Sequence, residues 1–155
     1  MKQLTNKDVN IAPQLDKACG LDMHKEKIVC FISSKDGSEQ ELMEFGTFTC
    51  ELHKLKDWLQ SNRVEHCLME STGIYWKSPY AALEAAGIRA LVVNARHVKN
   101  VPGRKTDVGD AQWLATLARA GLLRGSFIPP AMMRELRQIS RQRQKLVGQL
   151  ASEKN

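Results

Sequence analysis

Apolar and polar residues alternate along the chain with periods that change from two to three or four, as in a protein that mixes strands and helices. Short segments rich in β-branched, aromatic and small apolar residues predict strands over residues 18–23, 28–33, 41–49, 64–69 and 88–93. Apolar stripes of helical period predict helices over 50–60, from Ser78 and Pro79 (or from Ile74) to Gly87, over 107–120 and over 131–153. Residues 94–104 are predicted to form a basic loop or a short helix.

The order of these elements limits the topology of the sheet. The first three strands are joined by tight turns, so they should form an antiparallel meander. The fourth and fifth strands alternate with helices and should lie parallel to the first through right-handed crossovers. We therefore expect an α/β fold with a mixed five-stranded sheet and helices on both faces. This strand order is that of the ribonuclease H-like fold.

The chain divides into three predicted regions. Residues 1–17 lack a sustained period and are expected to be a flexible tail, and residues 18–126 form the folded domain. After the boundary marked by Pro129 and Pro130, residues 131–155 begin a long helix with apolar residues at coiled-coil-like spacing. The sequence stops while this helix continues, which leads us to expect a further C-terminal domain.

The distribution of charge separates the chain into two halves. The formal net charge is +6, but residues 1–95 contain 11 Lys and Arg against 13 Asp and Glu, whereas residues 96–155 contain 12 against 4. A basic half suits a polyanion such as nucleic acid, although it is also typical of a solvated face. Apolar runs are too short for a membrane span, and no secretory signal opens the chain. The four cysteines lack metal-ligand spacing and are expected to be reduced thiols in a cytoplasm.

Four carboxylates form the candidate site. Asp22 and Glu70 interrupt apolar segments where the first and fourth strands end, and the carboxyl ends of parallel strands meet at one edge of a sheet. Asp107 and Asp110, three residues apart, should share one face of the third helix. Together these four acids would bind Mg²⁺, or Mn²⁺ in its place, for phosphodiester chemistry. Taken singly, Asp22 and Glu70 are more typical of solvated strand ends than of a metal site. The pair Asp107 and Asp110 is as typical of a helix cap as of a metal site.

Four segments of the sequence resemble one family. They are Gly20-Leu21-Asp22, residues 70–75, residues 92–96, and Lys105-Thr106-Asp107-Val108-Gly109-Asp110-Ala111. The family is that of the DEDD transposases of the insertion-sequence group numbered one hundred and ten, with the related Piv-type DNA invertases. Residue Ala95 departs from the proline more usual in the family.

The resemblance implies an N-terminal RuvC-like catalytic domain whose Asp-Glu-Asp-Asp tetrad, here Asp22, Glu70, Asp107 and Asp110, binds magnesium. It implies metal-dependent DNA cleavage and strand transfer, a nucleophilic serine in a C-terminal domain and, in some members, a structured bridging RNA. The expected protein is cytoplasmic, bacterial or archaeal, and acts on DNA. We expect a homo-oligomer, as a dimer through the C-terminal helix or a tetramer on DNA.

Basic residues near the acids are candidates for contacts to the nucleic-acid backbone, because Lys and Arg fix position on phosphates. They are Arg96, Lys99, Arg104 and Lys105. Two other functions remain open on the sequence: a stand-alone Holliday-junction resolvase-like nuclease, and a non-catalytic nucleic-acid-binding module whose acids are structural. A sugar-kinase or actin-like ATPase is set aside, because no Gly/Thr-rich phosphate hairpin follows Asp22.

Overall fold

The structure is a computed structural model, and it describes residues 15–64, 66–70, 73–100 and 109–154. The strands are β1 (Lys17–Met23), β2 (Lys27–Ser34), β3 (Gln40–Gly46), β4 (His66–Glu70) and β5 (Arg89–Val93). The helices are α1 (Thr49–Ser61), α2 (Lys77–Ala85), α3 (Ala95–Asn100), α4 (Asp110–Arg119) and α5 (Ala131–Glu153). Most of the predicted flexible tail, residues 1–14, lies outside the described residues.

The sheet confirms the predicted topology. Its strands lie in the order β3-β2-β1-β4-β5. β1, β2 and β3 form an antiparallel meander, and β4 and β5 run parallel to β1. The fold is therefore the mixed, ribonuclease H-like sheet expected from the order of the elements. Within the described residues, no helix combines the length and apolar character needed to cross a bilayer.

Alternation of side chains along the strands builds a separate core on each face of the sheet. One face packs against α1 and α2, and its buried residues include Cys19, Leu21, Ile32, Met69 and Val92. The opposite face packs against α4 and buries Ala18, Phe31, Leu68, Val93 and Leu114. Helices thus cover both faces, as predicted, and β1 and β4 are buried between them.

Three of the four cysteines belong to the first of these cores. Cys19, Cys30 and Cys67 are buried free thiols, whereas Cys50, at the start of α1, is exposed. Burial raises the pKa of Cys19 well above its usual value, and the hydrogen bond with Cys19, followed by burial, raises that of Cys67. A thiol with a raised pKa is a poor nucleophile, so this cluster acts as apolar packing.

Two helix starts differ from the predicted ones. The predicted third helix began at Asp107, but Gly109 has extended backbone angles and α4 begins at Asp110. The second helix was predicted to be capped by Ser78 or to begin near Ile74; instead Trp76 is its N-cap residue. Neither helix start has a side-chain capping hydrogen bond. A capping side chain is the sequence feature that predicts where a helix begins, so both starts lack it.

The turn between β2 and β3 is organised by one carboxylate. Asp36 accepts hydrogen bonds from the Ser34 hydroxyl (2.6 Å), the Ser38 hydroxyl (2.7 Å) and the Ser38 backbone N–H (3.1 Å). Gly37 occupies the left-handed region, with φ of 73°. These bonds favour the ionised carboxylate and lower the pKa of Asp36 from 3.8 to about 2, with the Ser34 bond contributing most.

We therefore predict that the Asp36 carboxyl titrates near pH 2 in an NMR pH titration of the folded chain. Because the folded pKa lies below the unfolded one, the turn's stabilising contribution is present above about pH 4 and is lost as the pH falls toward 2. The Ser38→Ala variant removes the hydroxyl donor and keeps the backbone N–H donor, so it should raise the midpoint by only part of the full shift. An Asp36 midpoint near 4 in the unmodified chain would contradict this description of the turn.

Candidate metal site at the carboxyl edge of the sheet

Asp22 and Glu70 lie side by side at the carboxyl edge of the sheet. Leu21 of β1 is paired in register with Met69 of β4, and Asp22 and Glu70 are the next residues along the two parallel strands. Strand alternation puts both acids on the same face as Gly20 and Leu68, which is the face covered by α4. Both residues are partly buried. The two strand-end acids thus share an edge and a face of the sheet.

α4 approaches this face unusually closely because Gly20 has no side chain. A Cβ built on Gly20 would lie 1.9 Å from the backbone oxygen of Ala111 and 2.5 Å from the backbone nitrogen of Ala115. Ala111 and Ala115 are buried against Phe31 of the neighbouring strand. The small residues on both sides let the helix backbone touch the strand directly.

This contact brings a third acid to the same edge. Asp110 is the first residue of α4 and immediately precedes Ala111, which touches Gly20. Gly20 and Asp22 are two residues apart on the same face of β1, so the start of α4 lies beside the end of β1. Asp110 is exposed. An acid in the first turn also interacts favourably with the helix dipole, so Asp110 would favour this helix start with or without a metal.

His24 is hydrogen bonded to one of these acids. Its Nε2 lies 3.0 Å from Oδ2 of Asp22, and the two side chains are 50% and 23% exposed, respectively. The contact orients the Asp22 carboxylate at the strand end. The sequence showed that His24 is near Asp22, but nothing in its spacing distinguished an orienting partner from a surface histidine.

Three of the four predicted acids, Asp22, Glu70 and Asp110, lie at the same edge of the sheet, but within the described residues they do not come close enough together to form a metal site, so the site stays a prediction. Asp107 lies outside the described residues, as do Arg104 and Lys105, so their assignments stay predictions. Arg96 is exposed on α3, and its backbone N–H donates to the side chain of Asn94 (2.9 Å). Lys99 lies on the same short helix. α3 follows β5, whose last residue, Val93, is paired with Glu70, so the helix begins at the edge that carries the acids.

Two large apolar side chains at this edge are exposed, and the sequence pattern did not predict their exposure. Ile74 and Tyr75 follow Glu70 in the turn before α2 and are 68% and 43% exposed. The Tyr75 side chain is therefore not part of the buried core. Its neighbour Trp76 does pack, edge to face with Tyr80, at a centroid distance of 5.8 Å. Nothing in the local pattern separates the two aromatic residues, because the difference depends on how the turn meets the sheet.

A polar cleft lies at the other end of β1, away from the acids. It is lined by residues of the β2–β3 turn, β3 and the end of α1, together with Lys17, the first residue of β1. Three of its charged groups have partners within the cleft: Lys17 forms an ion pair with Glu39, and Glu41 accepts a hydrogen bond from Asn62 at 3.2 Å. Most of the charge that lines the cleft is therefore paired internally.

The donor set at the carboxyl edge fits a magnesium ion in its chemistry. Mg²⁺ is commonly held by one or two carboxylates, with water and substrate phosphates completing its coordination. Asp22 and Glu70, with adjacent strand positions, could supply two such ligands. Over the described residues, however, no group of three or more His, Cys, Asp or Glu side chains is close enough to hold a metal. The described part of the chain therefore offers a partial ligand set.

Comparison with protein-family models decides the family. The model of the IS110-group DEDD transposases, described as a transposase, matches residues 19–155. The chain belongs to this transposase family. The match covers β1 through α5, so it includes both the acid-bearing edge and the long helix. No curated protein sequence gives a significant match.

Two solved structures match parts of the chain at low sequence identity. RuvC of T. thermophilus, solved in complex with a Holliday-junction substrate, has 13% identity and a TM-score of 0.49; the alignment covers 72% of this chain and all of that one. A Ppx/GppA family member of Aquifex aeolicus has 10% identity and a TM-score of 0.35, with coverages of 53% and 36%.

We predict that Gly20→Ala destabilises the chain, by roughly 1–3 kcal/mol as is typical of overpacking, because the new methyl group overlaps the α4 backbone. The matched control is Gly148→Ala on α5, where a Cβ meets open space; it should be neutral or stabilise by about 0.5–1 kcal/mol. Urea unfolding followed by circular dichroism measures both. A Gly20→Ala variant as stable as the unmodified chain would show that α4 does not rest on β1 in this way.

Proposed function

We propose that this chain is the RuvC-like catalytic domain of a transposase that cleaves and transfers DNA strands with the help of divalent metal ions. The observation that carries this proposal is the register of β1 and β4, which makes Asp22 and Glu70 neighbours at the edge where α4 begins. Membership of the transposase family supports it, and the resemblance of the sequence motifs implies that the family's tetrad corresponds to Asp22, Glu70, Asp107 and Asp110.

In this proposal the four acids have one shared task, which is to hold Mg²⁺, or Mn²⁺ in its place. When bound, such ions activate the attacking oxygen and stabilise the leaving oxygen of the phosphodiester. His24 holds the Asp22 carboxylate at the strand end through its 3.0 Å hydrogen bond. Arg96, Lys99, Arg104 and Lys105 contact backbone phosphates and keep the strand in position, without reading its sequence.

Further parts of the proposal concern the whole protein. The attacking group is a serine hydroxyl from a C-terminal domain that follows α5, and a structured bridging RNA selects the DNA partners. Two copies pair through the apolar stripe of α5, and two such dimers meet on DNA. The site of action is the cytoplasm of a bacterium or an archaeon. These statements rest on the resemblance to the family.

Calorimetric titration with Mg²⁺ and with Mn²⁺ tests the metal site. The unmodified chain should bind both ions, and Glu70→Gln and Asp107→Asn should each weaken binding at least about tenfold, equivalent to about 1.4 kcal/mol. The matched control is Asp57→Asn, which removes an exposed acid of α1 that pairs with Lys56 (3.0 Å); it should leave binding unchanged. Absence of ion binding to the unmodified chain, with nucleic acid still bound, would favour a binding module with structural acids.

Incubation with branched and linear DNA in the presence of Mg²⁺ separates the transposase from a stand-alone nuclease. We expect this 155-residue chain to bind DNA without cleaving it, because the proposed nucleophile belongs to another domain. Metal-dependent cleavage of a four-way junction by the chain itself, lost in Asp22→Asn, would instead identify a resolvase that uses metal-activated water.

A further inference from the structure

α5 is an exposed helix that is held to the rest of the fold at its start. It has 23 residues, hence a length of about 34 Å, and none of them is buried. The exception to full exposure is Arg134, which is partly buried. The long surface of this helix is therefore available to a partner along nearly its whole length.

Arg134 attaches the first turns of α5 to α2. Its guanidinium donates to the backbone oxygen of Pro129 (2.8 Å) and to the Glu84 carboxylate (3.3 Å), and it lies 5.2 Å from the centre of the Tyr80 ring. This pairing with Glu84 raises the pKa of Arg134 and lowers that of Glu84. Arg134 is thus engaged within the fold, unlike the cations that follow it on the helix.

The remaining surface of α5 has two opposite faces. The apolar residues Leu136, Ile139, Leu146 and Leu150 share one side. Arg137, Arg141 and Lys145 are spaced four residues apart, so they lie within about 80° of one another on the side nearly opposite. We call these three residues the basic stripe. The two acids of α5, Glu135 and Glu153, lie outside it.

All three residues of the basic stripe are exposed. Within the part of the chain that the structure describes, none of the three side chains forms a hydrogen bond or an ion pair. Successive cations are about 6 Å apart along the helix axis. Three unneutralised charges in a row on a rigid element favour a polyanion with a regular backbone.

We propose that the basic stripe binds the phosphate backbone of double-stranded DNA. This inference rests on the proposed function, because it assumes that DNA is the substrate. The duplex is favoured over a single strand because α5 contains no aromatic residue on which an unpaired base could stack. The helix is also about as long as one turn of B-form DNA, about 34–36 Å. The apolar face, being opposite, stays available while DNA is bound.

The salt dependence of DNA affinity tests the stripe. Each phosphate contact contributes about 0.9 to the slope of log affinity against log salt concentration. Replacing Arg137, Arg141 and Lys145 together by Gln should therefore reduce the slope of the 155-residue chain by about 3. Fluorescence anisotropy with a 30-base-pair duplex (length chosen as about three helical turns) measures the slope between low and moderate salt.

A matched control removes the same charge elsewhere. Lys35, Lys54 and Arg89 are exposed cations on other elements, and their joint replacement by Gln should leave the slope within about 1 of the unmodified value. Arg137→Lys with Arg141→Lys keeps the charges and should keep the slope. Circular dichroism of the Gln variant should match that of the unmodified chain, since the replacements lie on the exposed surface of a helix and Gln is a good helix former.

Four results would overturn the inference, and they differ in what else they affect. An unchanged slope in the stripe variant, or an equal loss in the control variant, would overturn the stripe and leave the proposed function intact. Stripe-dependent binding that is tighter for RNA or for single-stranded DNA than for the duplex would overturn the choice of partner. An unmodified chain that binds no nucleic acid would overturn both the stripe and the proposed function.

Discussion

The direct contact between the backbone of α4 and Gly20 is the constraint on which the candidate site depends. It requires a residue without a side chain in the middle of β1 and two alanines on the facing turn of the helix. Because the helix rests there, its first residue, Asp110, lies beside the end of the strand that carries Asp22. Asp110 is thus brought to the edge that carries Asp22 and Glu70 by a packing contact between glycine and alanine residues.

The sheet could be predicted because the sequence patterns that define its strands and turns are local. Alternating apolar segments and short polar turns define the meander, and helices between strands require parallel crossovers. The edge shared by Asp22 and Glu70 followed from topology, since both acids end strands that run in the same direction. The family resemblance then implied the same four acids, including Asp107, which lies outside the described residues.

The features that the sequence did not predict depend on tertiary contacts. α4 begins at Asp110 because Gly109 is extended, and no capping side chain marks that start. Tyr75 is exposed while Trp76 packs on Tyr80, although both occupy the same stretch of sequence. In the sequence, the close approach of α4 to β1 is marked only by Gly20, which lies two residues before Asp22. A glycine in a strand is equally typical of a bulge, so its partner could not be named.

The position of a bound metal ion is the most direct test of the proposed metal site. Crystals of the chain soaked in Mn²⁺ would locate the ion through its anomalous scattering. We expect a peak at the carboxyl edge of β1 and β4, within about 2.0–2.6 Å of oxygens of Asp22 and Glu70, the range over which carboxylates bind hard divalent cations. A crystal in which Mn²⁺ is bound elsewhere while this edge remains empty would contradict it.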